Sequence, residues 1–228
     1  MLDFPVIDTD IKKIAPDFRA ISILVDIKDG QRGKISSDVL GEACDFVRTG
    51  GPQWADAHLA SWAEVYTRFG AKPNRTPCSA QALKKRVEKD GRLPSINPLV
   101  DLYNAVSLRF AVPVGGENFD AYVGRPRLSI AAGTEAFDTV ANGDAIVEHP
   151  STGEVVWRDD IGVTCRRWNW RQGTRTRLDS IGGRMWFILE SLATMPEEAL
   201  EEAANMLVSG LQQLAPGCEV YRQKLVVA

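Results

Sequence analysis

Apolar and polar residues recur along this chain in two periods, and the period changes often enough to predict a mixture of strands and helices. Arg19-Ala-Ile-Ser-Ile-Leu-Val-Asp-Ile27 is an unbroken β-favouring run ending at Asp29-Gly30, which predicts a buried strand. Ser36 or Ser37 can cap a helix that continues to about Thr49-Gly-Gly51. From Trp54 to Phe69, Leu59, Trp62, Ala63, Tyr66 and Phe69 follow helical spacing until Gly70 ends the run. His58, between two tryptophans on that helix, reads as a packing residue. Lys72-Pro-Asn-Arg-Thr-Pro77 is a turn-rich connector, and Ser79 can cap a short basic helix, Ala80 to Lys89. Asn97 is a good N-cap with Pro98 at the first helical position, and Leu99, Tyr103, Val106 and Phe110 form the apolar stripe that follows. Asn97, Asp101 and Asn104 make a second, polar stripe, which either organises a site or bonds neighbouring loops.

Beyond the loop predicted for Pro113 to Asp120, the pattern shortens into strands at Arg127 to Ala131, Ala145 to Glu148, Val155 to Arg158 and Val163 to Asn169. Ser151-Thr-Gly-Glu154 is predicted to turn one hairpin. Arg184 to Leu192 is a further strand with Glu190 inside it, a charge that either points out from an edge or is buried for a purpose. Thr194 and Glu197 make a capping box, Leu200, Ala204, Leu207, Leu211 and Leu214 trace one helix face, and Glu219 to Val227 is a final strand. No repeat, low-complexity tract or composition break divides the chain. The expectation is one α+β domain over residues 1–228, its mixed or antiparallel sheets flanked by helices.

Composition narrows the function. With 228 residues, 44% apolar and 25% charged, the chain can bury a full core. Its four cysteines form no CxxC pair and its two histidines sit at no ligand spacing, which excludes a disulfide framework or structural zinc and fits a reducing cytoplasm. The N-terminus lacks the pattern of a signal peptide, and no run approaches the about 18 apolar residues of a membrane span, so a cytoplasmic protein with no membrane partner is expected. A net charge of −3 argues against indiscriminate nucleic-acid binding but not against a local basic patch.

Such a patch is present in the sequence. Thr164 to Leu178 holds five arginines, Arg166, Arg167, Arg171, Arg175 and Arg177, and two tryptophans, Trp168 and Trp170. Its first half alternates as a strand; its second half reads as a loop. Arginine forks match phosphate oxygens and tryptophan faces stack on bases, so the stretch suits a nucleic-acid contact. Equally, it suits a packed sheet edge with a solvated rim.

No Walker loop, GxSxG elbow, HExxH or post-strand GxGxxG is present. The order Leu93 to Leu108, Phe119-Asp120, Ala132-Gly-Thr-Glu135, Glu154-Val-Val-Trp-Arg-Asp159 and Ile188-Leu-Glu-Ser191 resembles the B3/B4 domain of the bacterial phenylalanyl-tRNA synthetase β subunit, over roughly residues 75 to 195. Freestanding B3/B4 proteins are more similar still, since Cys165-Arg-Arg-Trp-Asn-Trp-Arg-Gln172 is typical of them. That resemblance implies editing in trans: hydrolysis of the ester on a mischarged tRNA, as in relatives that remove canavanine, an arginine mimic, from arginine tRNA. It places Glu190, Asn97, Asp101 and Asn104 at the amino-acid pocket and implies no cofactor. The histidine of the family's His-Ala-Phe-Asp element is replaced by Glu117, so a histidine role cannot be carried over.

The ester is already activated, so the protein has to position water and stabilise an oxyanion, and no metal is needed. Backbone N–H groups at Gly115 and Gly116 can supply the donors, and Glu117 can orient or activate the water if burial raises its pKa. A ribose hydroxyl of the substrate can assist equally well. The arginine-rich stretch, Arg166 through Arg177 with Trp168 and Trp170, would then hold the acceptor end of tRNA. Two other readings remain: a non-catalytic module that binds tRNA or a synthetase, and a hydrolase of small amino-acid derivatives.

Overall fold

Strand β2 (Arg19–Ile27) can bury every residue from Ala20 to Val25 because both of its faces are covered. The computed structural model describes residues 4–28, 32–35 and 37–227. In it β2 lies inside a four-stranded antiparallel sheet ordered β11 (Glu219–Val226), β2, β10 (Gly183–Ser191), β3 (Val114–Asn118). Side chains alternate across a strand. Ile21, Ile23, Val25, Met185, Phe187 and Leu189 therefore share one core with α5 (Pro98–Phe110) and α6 (Glu197–Leu214). Each fully buried α6 leucine, such as Leu200, Leu207 and Leu211, contributes about 1.5–3 kcal/mol by leaving water. The two helices meet closely at Gly210, where a Cβ would come within 2.4 Å of Leu102.

Leu24, Trp186 and Ile188 turn to the opposite face and meet a second sheet. That sheet runs β1 (Val6–Ile7), β4 (Arg127–Ile130), β7 (Val155–Arg158), β8 (Val163–Arg166), β5 (Phe137–Ala141), β6 (Asp144–Glu148), with β9 (Arg171–Gln172) paired to β8. It is mixed, with β1 parallel to β4 and β5 parallel to β8. Helix α3 (Ala55–Arg68) adds Leu59, Trp62 and Tyr66 to the same core. His58 of α3 is fully buried, with Nδ1 donating to the Ala111 carbonyl at 2.8 Å and Nε2 accepting from Leu192 N–H at 3.2 Å. Burial lowers its pKa to about 4, so it is a neutral packing residue. The remaining helices are α1 (Ile11–Ile14), α2 (Val39–Arg48) and α4 (Ser79–Asp90); α2, α4 and α5 share a core of their own around Leu40, Val47, Val87 and Leu108. The architecture is α+β, a helical layer on one sheet and that sheet on a second.

Several local expectations are corrected. Asp38, not Ser37, caps α2 by accepting from Gly41 N–H, while Ser36 and Asp29-Gly30 lie outside the described residues. No capping box starts α6: the helix begins at Glu197 after Pro196, Thr194 donates to Ser61, and Glu197 pairs with Lys224. Ser79 is the first helical residue of α4 and makes no cap bond. Ser151 to Glu154 forms a turn, but β6 and β7 do not pair. The tight hairpin joins β5 to β6 through Asn142-Gly143, whose φ values of 55° and 92° suit a mirror-image turn. Pro113 to Asp120 is not a loop throughout; its glycines conceal strand β3, held by β10. Strand β8 stops at Arg166, because Arg167 and Trp168 take positive φ values of 47° and 65°.

Candidate functional site

Register places the chemistry. Glu190 N–H bonds the Pro113 carbonyl at 3.0 Å, which fixes the phase of the β10–β3 ladder: Gly115 with Ile188 and Glu117 with Trp186 are the hydrogen-bonded pairs. Gly116, out of phase, turns its N–H and C=O to the other edge of β3, where Gln172 Nε2 donates to the carbonyl at 2.9 Å and where Arg177 bridges Glu117, with Asn118 N–H bonding the Thr176 carbonyl at 2.8 Å. The same phase points Glu117, Trp186, Ile188 and Glu190 into the space between the two sheets. A cavity of about 290 Å³ lies there, bounded also by α4, α5 and the turn after β8.

Glu190 sits at its base, only 1% exposed. Trp157 Nε1 and Trp168 Nε1 each donate to Oε1 at 2.9 Å, and Asn169 Nδ2 donates to Oε2 at 2.9 Å. Tyr66 O–H donates to Asn169 Oδ1 at 2.8 Å, which orients that amide. Burial nonetheless pushes the Glu190 carboxyl up to about 7, against the pull of its three donors. The left-handed backbone at Arg167 and Trp168 is what brings the Trp168 indole down to this carboxylate.

Glu117 occupies the other end. Glu190 lies four positions along β10 from Trp186, the ladder partner of Glu117, so the two glutamate backbones lie about 13 Å apart along the strands. Tyr122 O–H donates to Glu117 Oε2 and meets Thr164 Oγ1 at 3.1 Å. Burial raises this carboxyl to about 7 as well, opposed by the Tyr122, Thr176 and Thr164 hydroxyls and by Arg175. Cys165 also faces the cavity, but burial and the two glutamates raise its pKa well above the usual value and keep it a thiol. Among the described lining residues the charges are these two carboxylates, with no lysine or arginine. Among the described residues no cluster of histidine, cysteine, aspartate or glutamate gathers as a metal site would.

The structure brings together only some of the sequence-derived candidates. Glu117, Gly115, Gly116, Glu190, Asn104, Trp168 and Trp170 line the cavity. Gly115 N–H is committed to the ladder, so of the two glycines only Gly116 offers its N–H at the edge. Asn97 caps α5, accepting from Leu99 and Val100 N–H, and Asp101 accepts from Ser95 and Ile96; neither lines the cavity.

The arginine-rich stretch is mostly turned inward. Arg166, its side chain 8% exposed, bonds Glu154 through Nε at 2.9 Å and Nη2 at 2.8 Å, and Glu148 through Nη1. Arg171 bonds Thr139 and Glu148. Arg175 grips Asp159 with both Nη atoms at 2.8 Å. Trp168 has no exposure, Arg167 stacks 4.3 Å over Trp170, and Arg177 is exposed. Arg166, Arg171 and Arg175 each find a carboxylate on a strand of the second sheet or next to one: Glu148 on β6, and Glu154 and Asp159 at the two ends of β7.

Sequence reasoning missed Tyr122, Trp157, Asn169, Gln172, Trp186 and Tyr66 as site residues. Trp157, Trp186 and Asn169 fall on alternating strand or turn positions that periodicity assigns to a core, and only the non-local pairing shows a carboxylate among them. Gly115 packs closely against Ile188: an added Cβ would meet Ile188 Cγ2 at 3.3 Å, so that side chain would have to shift slightly. Gly115→Leu is therefore expected to fill the cavity at a cost of about 1–3 kcal/mol, a fall of several degrees in melting temperature, and to weaken ligand binding by at least about tenfold. Calorimetric titration beside a thermal melt checks both.

With that geometry in hand, the comparisons are these. The model of the B3/4 domain family matches residues 61–215. A crystal structure of an N-terminal fragment of the phenylalanyl-tRNA synthetase β subunit from Pyrococcus horikoshii superposes with a TM-score of 0.50 at 10% identity, covering 97% of this chain and 53% of that one. This chain thus spans about half the length of that fragment, and the likeness is one of fold. The comparison with curated proteins gives no match.

Proposed function

The chain belongs to the B3/4 domain family, and from that premise we propose that it is an aminoacyl-tRNA deacylase acting in trans, hydrolysing the ester of a mischarged tRNA. The observation that carries the reading is the pair of buried carboxylates, Glu117 and Glu190, at opposite ends of one cavity whose described lining holds no cation. Two carboxylates held near pKa 7 suit different tasks.

Glu190, fixed by three donors among indole rings, receives the side chain of the amino acid. A cationic or arginine-like side chain fits best, because it would neutralise the buried charge and lie against tryptophan faces. Glu117, beside Gly116, activates the water. The edge N–H of Gly116 then faces the developing oxyanion, and Asn104 and Gln172 also line the cavity. Tyr122 orients the Glu117 carboxylate, and the Glu117 proton taken from water passes to the departing ribose oxygen. No step requires a nucleophilic side chain.

Release of amino acid from a panel of correctly and incorrectly charged tRNAs tests the proposal. Wild type is expected to hydrolyse tRNA carrying an arginine-like residue most rapidly, and Glu190→Ala to lose that preference by about 10²-fold in kcat/KM relative to neutral amino acids. Equal rates for lysyl, arginyl and aromatic mischarged tRNAs would remove the cationic assignment. Binding without release would leave a tRNA-holding module, and turnover insensitive to the tRNA body would point to small-ester hydrolysis.

A further inference from the structure

Beside the carboxylate cavity lies a second hollow, of about 300 Å³, which none of the roles above employs. Its walls are the end of α3 and the following connector on one side, and Ser151, Glu154 and Arg167 on the other. Three cationic side chains ring it: Lys72, Arg75 and Arg167. The connector is held as a tight turn, since Arg75 and Thr76 N–H both bond the Lys72 carbonyl, at 2.8 and 2.9 Å, and Pro73 fixes the backbone between. Lys72 and Arg75 are thus exposed at the rim of a constrained loop. Glu154, the one carboxylate in the described lining, is already occupied, because its oxygens accept from Arg166 Nε and Nη2 and from Arg167 N–H; Arg167 Nε lies 3.9 Å from it as well, so the two exposed cations of the hollow are Lys72 and Arg75. The hollow is therefore cationic, whereas the neighbouring cavity is anionic.

A stacked pair stands between them. Arg167, which lines the hollow, lies 4.3 Å over the ring of Trp170, which lines the cavity. A ligand crossing that stack meets opposite potentials within one side chain's width. A molecule with an anionic backbone and a cationic or neutral amino-acid end is oriented by this polarity, and the reverse placement is repelled at both ends.

We propose that Lys72, Arg75 and Arg167 hold a phosphodiester of the RNA 3′ end, while the ribose ester just beyond it passes Trp170 into the carboxylate cavity. The inference rests on the deacylase reading for the ester, but its phosphate half stands on RNA binding alone. Lys72 and Arg75 are both exposed, so the Lys72→Ala, Arg75→Ala double variant is expected to keep the fold, and the Lys72→Arg, Arg75→Lys exchange serves as the charge-preserving control.

Two substrates separate the outcomes: full-length aminoacyl-tRNA, and the same amino acid esterified to adenosine without phosphate. The double variant is expected to raise KM for the tRNA by roughly 5- to 10-fold with kcat within about twofold, to flatten the salt dependence, and to leave the adenosine ester unchanged. The charge-preserving exchange restores the tRNA KM. Unchanged tRNA kinetics, or equal loss on both substrates, overturns the assignment. If wild type hydrolyses neither, the deacylase reading fails by itself. The hollow is then judged by filter binding of uncharged tRNA, where equal affinity of wild type and double variant overturns it and a 5- to 10-fold loss supports it. Competition by inorganic phosphate at concentrations as low as those of a CCA-ended stem-loop would instead mark a free-anion site and overturn the RNA assignment.

Discussion

Glu117→Gln is expected to slow ester hydrolysis by about 10²–10³-fold in kcat while leaving KM within a few fold. The amide keeps the shape of the carboxylate and an oxygen for Tyr122 O–H, but it cannot take a proton from water. For wild type, log kcat/KM should climb with pH and level off above about 7, where the buried Glu117 carboxyl loses its proton; the variant's residual rate should lack that step. A rate within about threefold of wild type would mean that the substrate's own ribose hydroxyl does the work, and the base assignment would be dropped.

Stability should move the other way. Burial raises the Glu117 carboxyl from 4.5 to about 7, so between those values the folded protein binds more protons than the unfolded chain. The stability associated with the neutral form is present below pH 4.5 and lost as pH rises through 7, amounting to up to about 3 kcal/mol. Glu117→Gln should therefore melt close to wild type at pH 5 and several degrees higher at pH 8. A charge held where it weakens the fold is what a site maintained for chemistry looks like.

The largest loss of stability is expected at Asp159→Ala, about 3–5 kcal/mol, read as a fall in urea midpoint with an unchanged slope. Asp159 is fully buried; Oδ1 accepts from Ile161 and Gly162 N–H and Oδ2 from Val123 N–H, while Arg175 spans both oxygens. Burial pushes its carboxyl upward, but Arg175 and the backbone donors outweigh it and hold the pKa below the ordinary value. Its contribution is thus present above the unfolded value near 3.9 and lost as pH falls, which adds acid sensitivity. Alanine leaves three N–H groups without an acceptor, and Arg175 with only the Ala121 carbonyl at 2.7 Å and the Asp138 carboxylate at 3.9 Å. The defect should reach the site, because Arg175 also holds the Ala121 carbonyl next to Tyr122, the hydrogen-bond donor to Glu117. A loss below about 1 kcal/mol would show that water replaces the carboxylate and that this pair is incidental.

Much of the architecture is legible locally. Strand β2, helices α3, α5 and α6, strand β10 and the Asn97-Pro98 start of α5 follow from periodicity and capping, because each carries its apolar face in its own sequence. What local patterns do not carry is which strand pairs with which. Gly115-Gly116 weakens any strand signal, so β3 reads as a loop until β10 supplies its ladder. The Asn142-Gly143 signal was present and marks the real hairpin, whereas Ser151 to Glu154 turns between strands that do not pair.

The arginines illustrate the same limit with charge. Arg166 and Arg175 find Glu154 and Asp159, 12 and 16 residues away in sequence, across strands whose register the composition does not reveal. Glu190 could be singled out as a charge inside an apolar run, but not its partners. Trp157 and Trp168 come from different segments of the second sheet, while Glu190 belongs to the first.

That division has a consequence for how the site comes into being. The carboxylate stands on one layer and its indole donors on the other, so neither layer alone contains a pocket; it appears only when the two are laid together. The cavity is a gap left in the seam of the molecule, and whatever fills it acts as a rivet between the halves. Occupancy and cohesion are accordingly one property: a substrate that fits is also the piece that completes the joint.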